Sequence, residues 1–242
     1  MKKRTLLSTF TFLFIANVFS QKEVKDTITS ARITYTVEKI MPPDIMQRTF
    51  PTENIREKMI GSLLKTKAVT AILEFDENKS LYKVKDDEFE KSRKNSSIKG
   101  INFSLAEAGF KSKYYTNYKT NEIFYQVNNR RKGRMELVYY EVPNWEKTSD
   151  TLNILGYKCF KAIEINKGKK ASLIYTPWYT NEKSFSYGPK RFMGLPGLVL
   201  KVEQGNTTII TTKIELNFKD FKIIKPTEGF KTSFLEKFGR PY

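Results

Sequence analysis

Leu198-Val-Leu-Lys-Val-Glu203, then Gln204-Gly-Asn206, then Thr207-Thr-Ile-Ile-Thr-Thr-Lys-Ile-Glu-Leu216 reads as two β-strands joined by a tight turn. Both runs are rich in Val, Ile, Leu and Thr, whose branched or bulky side chains pack well on a pleated surface. The glycine between them supplies the backbone freedom that a short hairpin connection needs. This unit decides the fold, because the same pattern recurs outward from it. Segments 114–118, 122–127, 135–142, 157–165 and 171–176 are also short, rich in Tyr, Phe, Val and Ile, and divided by Asn, Gly or Lys turns. Strands that follow one another at such intervals form an antiparallel meander.

Further upstream, Ala31-Arg-Ile-Thr-Tyr-Thr-Val37 alternates apolar and polar residues, which places Ile33, Tyr35 and Val37 on one face of an opening strand. Segments 68–75 and 80–85 form another predicted hairpin about Asp76-Glu-Asn-Lys79. Over residues 52–66, Ile55, Met59, Ile60, Leu63 and Leu64 follow the spacing of an amphipathic helix with Thr52 as its N-cap. The charged, Ser/Asn-rich stretch 88–109 is expected to be a loop or lid. Beyond Pro226, the recurrence of Phe230, Phe234, Leu235 and Phe238 suggests a helical turn at the sheet end. The expected fold class is therefore α+β with β dominant. Its expected form is a curved, half-barrel-like antiparallel sheet with one amphipathic helix packed on it, and a closed barrel is the alternative.

Residues 1–20 carry Lys2, Lys3 and Arg4 ahead of an apolar run from Leu6 to Ile15 and small residues near Ser20, the layout of a secretory signal peptide. Cleavage is expected near Ser20/Gln21, which leaves residues 21–242 as one sheet-rich domain in the periplasm or outside the cell. The run is short for a membrane span, and no later stretch is long enough, so the protein is not expected to cross a membrane by a helix. Cys159 is the only cysteine, which rules out an intramolecular disulfide. The net charge is +17. Lys91, Arg93, Lys94 and Lys99, then Arg130, Arg131, Lys132 and Arg134, then Lys167, Lys169 and Lys170 form three clusters in polar segments. Such clusters are either solvated loops or a surface for acidic glycans or anionic lipid headgroups. Nucleic acid is not an expected partner, because the leader directs export and no binding motif for it is present.

The chain has no histidine. That removes Cys-His and Ser-His-Asp nucleophilic catalysis and every zinc site with a histidine ligand. Cys159, in an apolar-flanked strand, reads as a small buried hydrophobe. Asp86, Asp87, Glu88 and Glu90 cluster in a charged segment, whereas acid catalysis requires one desolvated carboxyl and a second at fixed distance. Asp76-Glu-Asn-Lys-Ser80 lacks the ligand pattern of a calcium loop. No metal or cofactor is expected.

Trp145, Gly156-Tyr-Lys-Cys-Phe-Lys-Ala162, Tyr175-Thr-Pro-Trp-Tyr179, Gly188-Pro189 and Phe192-Met-Gly-Leu-Pro-Gly-Leu198, in that order and spacing, resemble the GLPGLI family of exported bacterial proteins. Val199 stands where the family has isoleucine. The resemblance implies an envelope or secreted protein of Gram-negative bacteria. It brings no catalytic residues. Read physically, Gly194, Leu195, Pro196, Gly197 and Leu198 form a turn motif, with Pro196 and Gly197 at the central positions of an expected type II turn and the two leucines directed to a core. Trp178, Tyr179, Arg191 and Phe192 are the candidate ligand-binding residues, Arg191 as an anion contact. Three functions remain open: an exported non-enzymatic binder of an apolar ligand, peptide or envelope partner protein; a basic surface protein for acidic glycans or lipid headgroups; and a hydrolase without a recognisable motif.

Overall fold

The computed structural model describes residues 28–40, 42, 44, 47–48, 52–57, 66–94, 102–165, 175–183, 185–218 and 222–239. The expected signal peptide lies outside these residues. Twelve strands form one mixed, mostly antiparallel sheet: β1 (Ser30–Lys39), β2 (Val69–Asp76), β3 (Lys79–Val84), β4 (Lys113–Asn117), β5 (Glu122–Asn129), β6 (Arg134–Tyr139), β7 (Trp145–Ile154), β8 (Tyr157–Glu164), β9 (Thr176–Thr180), β10 (Leu198–Gln204), β11 (Thr207–Leu216) and β12 (Phe230–Ser233). Their order across the sheet is β12-β6-β5-β4-β3-β2-β1-β11-β10-β9-β8-β7. The β10–β11 hairpin pairs as its sequence predicts, from Lys201↔Ile210 to Gln204↔Thr207. β12 is the exception to the antiparallel rule and runs parallel to β6. The sheet is open, since β12 and β7 are its two edges, so the barrel alternative is not adopted.

Alternation sets the core. Ala31, Ile33, Tyr35 and Val37 of β1 are buried, as are Ala71, Leu73 and Phe75 of the neighbouring β2, while the residues alternating with them are half-exposed. A second, smaller cluster of Leu81, Tyr115, Phe124 and Leu137 lies on the other face of β3–β6, packed against Tyr139 and Ile223. The segment carrying Ile223 is tied to β5 by Lys225–Glu122 and by the Gln126 side-chain amide, which donates to the Glu228 carbonyl at 2.8 Å.

The sheet is also curled. β6 stands second from one edge and β7 at the other, ten strand spacings or about 48 Å apart if flat. Yet only residues 140–144 connect them, and the six steps from Tyr139 to Trp145 span at most roughly 20 Å. The two arms must face one another, and Met193 touches both: its sulfur accepts from Thr116 Oγ1 of β4 at 3.5 Å and its carbonyl accepts from Trp145 Nε1 of β7 at 2.7 Å.

Three expectations change. The stretch 88–109 contains helices α1 (Asp86–Lys94) and α2 (Phe103–Glu107) where a loop was expected. Asp86, Asp87 and Glu88 favour the positive end of α1, Asp87 pairs with Lys91 at 2.9 Å, and Asn102 caps α2 by accepting from the Leu105 amide at 3.3 Å. Of the expected helix 52–66, residues 53–57 are helical and Ile55 is exposed, while 58–65 lie outside the described residues. At the C-terminal end, Phe230 belongs to β12, and only α3 (Phe234–Phe238) is helical, started by a capping box of Ser233 and Glu236.

Candidate functional site

The β9–β10 connection, residues 181–197, crosses the inner face of the curled sheet. Phe185 and Tyr187 pack on Phe75 of β2, at ring separations of 4.9 and 5.0 Å. Phe192, Met193 and Leu195 are buried farther along, and Leu198 enters β10 completely buried. The Tyr35 hydroxyl, reaching across from β1, donates to the Val199 carbonyl at 2.7 Å. This segment is the filling of the fold, and it occupies the concave face that an acyl carrier would leave empty.

The turn inside it differs from the type II expectation. The Gly197 amide donates to the Leu195 carbonyl at 2.8 Å, which closes a three-residue γ-turn about Pro196, and the left-handed backbone sits at Gly194 with φ 82°. Gly197, at φ 158°, is demanded by proximity as well. A Cβ there would lie 2.0 Å from the Thr180 carbonyl oxygen. Gly188 is tighter still, because its Cβ would meet the Phe192 carbonyl oxygen at 2.0 Å and Val199 Cβ at 2.7 Å. The glycines of the motif thus let the crossing segment touch β9 and β10.

Arg191 is the centre of this segment's chemistry. Its two terminal nitrogens donate to the two carboxylate oxygens of Glu164 at 2.9 and 2.7 Å, with both side chains at most 5% exposed. The guanidinium carbon also stands 4.7 Å from the Tyr175 ring and 5.5 Å from the Phe192 ring. The anion that faces Arg191 is therefore the chain's own Glu164, and the expected external anion contact is already taken up. Burial raises the Tyr175 hydroxyl above the usual phenol range, a rise that the Arg191 charge opposes. Next to it, Lys190 donates to the Glu107 carbonyl at 2.9 Å, and desolvation pulls its ammonium down to about 8.

The other candidates divide between the faces of the sheet. Phe192 joins Arg191, packing against Tyr175 at 5.0 Å and Trp145 at 6.2 Å. Tyr179 is buried beside Phe160. Trp178 points to the opposite side, half-buried, where its indole N–H donates to Glu203 at 2.8 Å. Trp178 and Tyr179 therefore share no pocket. Cys159 is buried, and burial pushes its thiol up to about 11, which disfavours the thiolate at neutral pH.

A cleft of about 300 Å³ opens onto the Arg191–Glu164 pair, between the β6–β7 connection and α3. Tyr139, Val142, Pro143, Phe234 and Leu235 provide its walls. The sequence carried no signal for this cleft, since its two sides lie about ninety residues apart and meet only because β12 pairs with β6.

The fold is shared with PNGF-II. Structures of that protein in space groups P21 and C2 superpose on this chain with TM-scores of 0.50 and 0.50, at 18% and 17% identity, covering 86% of this chain and 32% of theirs. At that identity the likeness is one of fold, and the chain spans about a third of the length of PNGF-II. No protein-family model and no curated protein matches the sequence.

Proposed function

We propose that the chain is an exported, non-enzymatic binding protein that holds an apolar or amphipathic ligand, or a peptide side chain, in the cleft above Arg191 and Glu164. The observation that carries this reading is the cleft itself: apolar and aromatic side chains, with Glu141, Asn144 and Ser233 among them, stand over the paired Arg191 and Glu164, a mixture of the kind that lines small-ligand sites. The resemblance to the exported GLPGLI proteins supports the envelope location and brings no catalytic residues with it. The half-barrel-like form of the sheet belongs to the same proposal and draws support from its curl. In PNGF-II the same fold makes up a third of a longer chain, which supports its use as a module.

A hydrolase is the weaker reading. Glu164 is the buried carboxylate nearest a cleft, and a bidentate guanidinium favours its ionised form, whereas a general acid needs the proton held. The test is native mass spectrometry of the protein purified from its own periplasm, compared with Leu235→Trp, which places an indole in the cleft from an exposed helix position. A bound small molecule that is lost in the variant supports the proposal. Empty wild-type protein, or a ligand retained equally by the variant, refutes it.

A further inference from the structure

A second concavity lies along the strand ends of the other arm. One hollow of about 500 Å³ is bordered by Phe89, Phe110, Lys111 and Lys113, and an adjoining one of about 540 Å³ by Arg134 and Phe230. Asn128, Met135 and Glu228 line both, so the two lie side by side. The groove follows β3, β4, β5, β6 and β12, which are consecutive in the sheet, and therefore runs four strand spacings, about 19 Å.

Its side chains combine rings and cations. Phe110 and Phe230 are 39% and 59% exposed, one toward each end. Lys111 Nζ stands 4.0 Å from the centre of the Phe89 ring, and the Arg134 guanidinium carbon 4.2 Å from that of Phe230. Phe110 borders the groove with its backbone at φ 51°, a conformation unfavourable for a bulky residue. Lys111 and Lys113 have no carboxylate partner among the described residues, Arg130 and Arg131 stand exposed at the β5–β6 turn, and Arg134, on the second hollow, lies 3.5 Å from buried Glu136. The acidic residues nearby are partly committed: Asp86 pairs with Lys83 at 3.0 Å, and buried Glu136 is held by Lys237 and by Asn129. Glu90 and Glu228 also border the groove.

We propose that this groove binds an extended acidic glycan, a chain of sugar rings bearing carboxylate or sulfate groups. Exposed aromatic faces at separated points suit the apolar faces of successive rings, and the lysines and arginines between them suit the acid groups. The concave, elongated shape fits a linear polymer better than a lipid bilayer surface. The proposal is independent of the cleft above Arg191.

The test is calorimetric titration of the full chain with oligogalacturonate, with its neutral methyl ester, and with heparin oligosaccharides, at low and at physiological salt. Binding of at least one acidic glycan is expected, about tenfold weaker for the methyl ester than for the acid and falling with salt. Phe110→Ala, Phe230→Ala and the pair Lys111→Ser/Lys113→Ser, each with an unchanged melting curve, are expected to lower affinity by about five- to tenfold. The control pair Lys158→Ser/Lys183→Ser, near Phe160 and Tyr157 on the other arm, is expected to bind as the wild type does. Failure of both acidic glycans, equal binding of the ester, or an equal loss in the control pair overturns the proposal. So does groove-dependent binding of phosphatidylglycerol vesicles or of oligothymidylate in place of the glycans.

Discussion

Replacing Arg191 by methionine tests the idea that the crossing segment is pinned by one buried ion pair. Methionine keeps much of the side-chain length and removes the charge, which leaves the Glu164 carboxylate 5% exposed with no guanidinium. Stranding one member of a buried pair costs about 3–5 kcal/mol, and the lost contacts to Tyr175 and Phe192 add about 1 kcal/mol. For a chain of this size each kcal/mol lowers the melting temperature by about 2–4 °C, so a fall on the order of 10 °C is expected. The double variant Arg191→Met/Glu164→Leu removes both charges and should recover most of the loss, because two apolar side chains of similar volume pay no desolvation. Urea denaturation followed by tryptophan fluorescence gives the whole cycle, since Trp145 packs against Phe192. A single variant within about 1 kcal/mol of wild type, or a double variant as unstable as the sum of the singles, would refute the pinning argument.

Two further expectations concern the same segment. Gly188→Ala and Gly197→Ala should each destabilise by about 2–4 kcal/mol, because the added methyl meets backbone oxygen at 2.0 Å; melting curves unchanged by either substitution would contradict the close approach. Lys190 releases its proton at about 8 when folded and near 10.5 when unfolded, so between those values the unfolded chain binds more protons and folding should become more favourable as pH rises. Relative to Lys190→Met, the wild type should gain on the order of 1–3 kcal/mol from pH 8 to 10.5 in urea titrations, and parallel stability curves for the two proteins would show that the ammonium is not desolvated.

Much of the sheet is legible because its chemistry is local. The faces of β1 follow from strict alternation at Ile33, Tyr35 and Val37, and the β2–β3 and β10–β11 hairpins from turn residues between branched runs. β7 escapes such a reading: Trp145 to Ile154 is an edge strand with mostly exposed, polar side chains, so it shows no apolar period. α1 is hidden for the opposite reason, since charge alone suggests a loop until the acidic first turn and the Asp87–Lys91 pair are placed on a helix. Among the candidate site residues, Arg191 and Phe192 come together as neighbours in sequence. The partner of Arg191 is Glu164, twenty-seven residues earlier, and nothing local in either segment signals the pairing. The groove of Phe110 and Phe230 was no more visible, because it depends on strands from distant parts of the chain meeting at one rim.

The place of β1 has a consequence for how the molecule is made. Within β2 to β6, and likewise within β7 to β11, every pairing is between strands consecutive in sequence, so each arm can zip up from its own turns. β1 joins the arms, bonding to β2 on one side and to β11 on the other, nearly 180 residues away. β1 thus finds its second partner only after the intervening strands β2 to β10 have been made. Closing so long a loop is slow relative to hairpin formation. Until then β11 presents an unpaired, β-branched edge, the feature most open to pairing with another copy. That interval is when protection from self-association matters most.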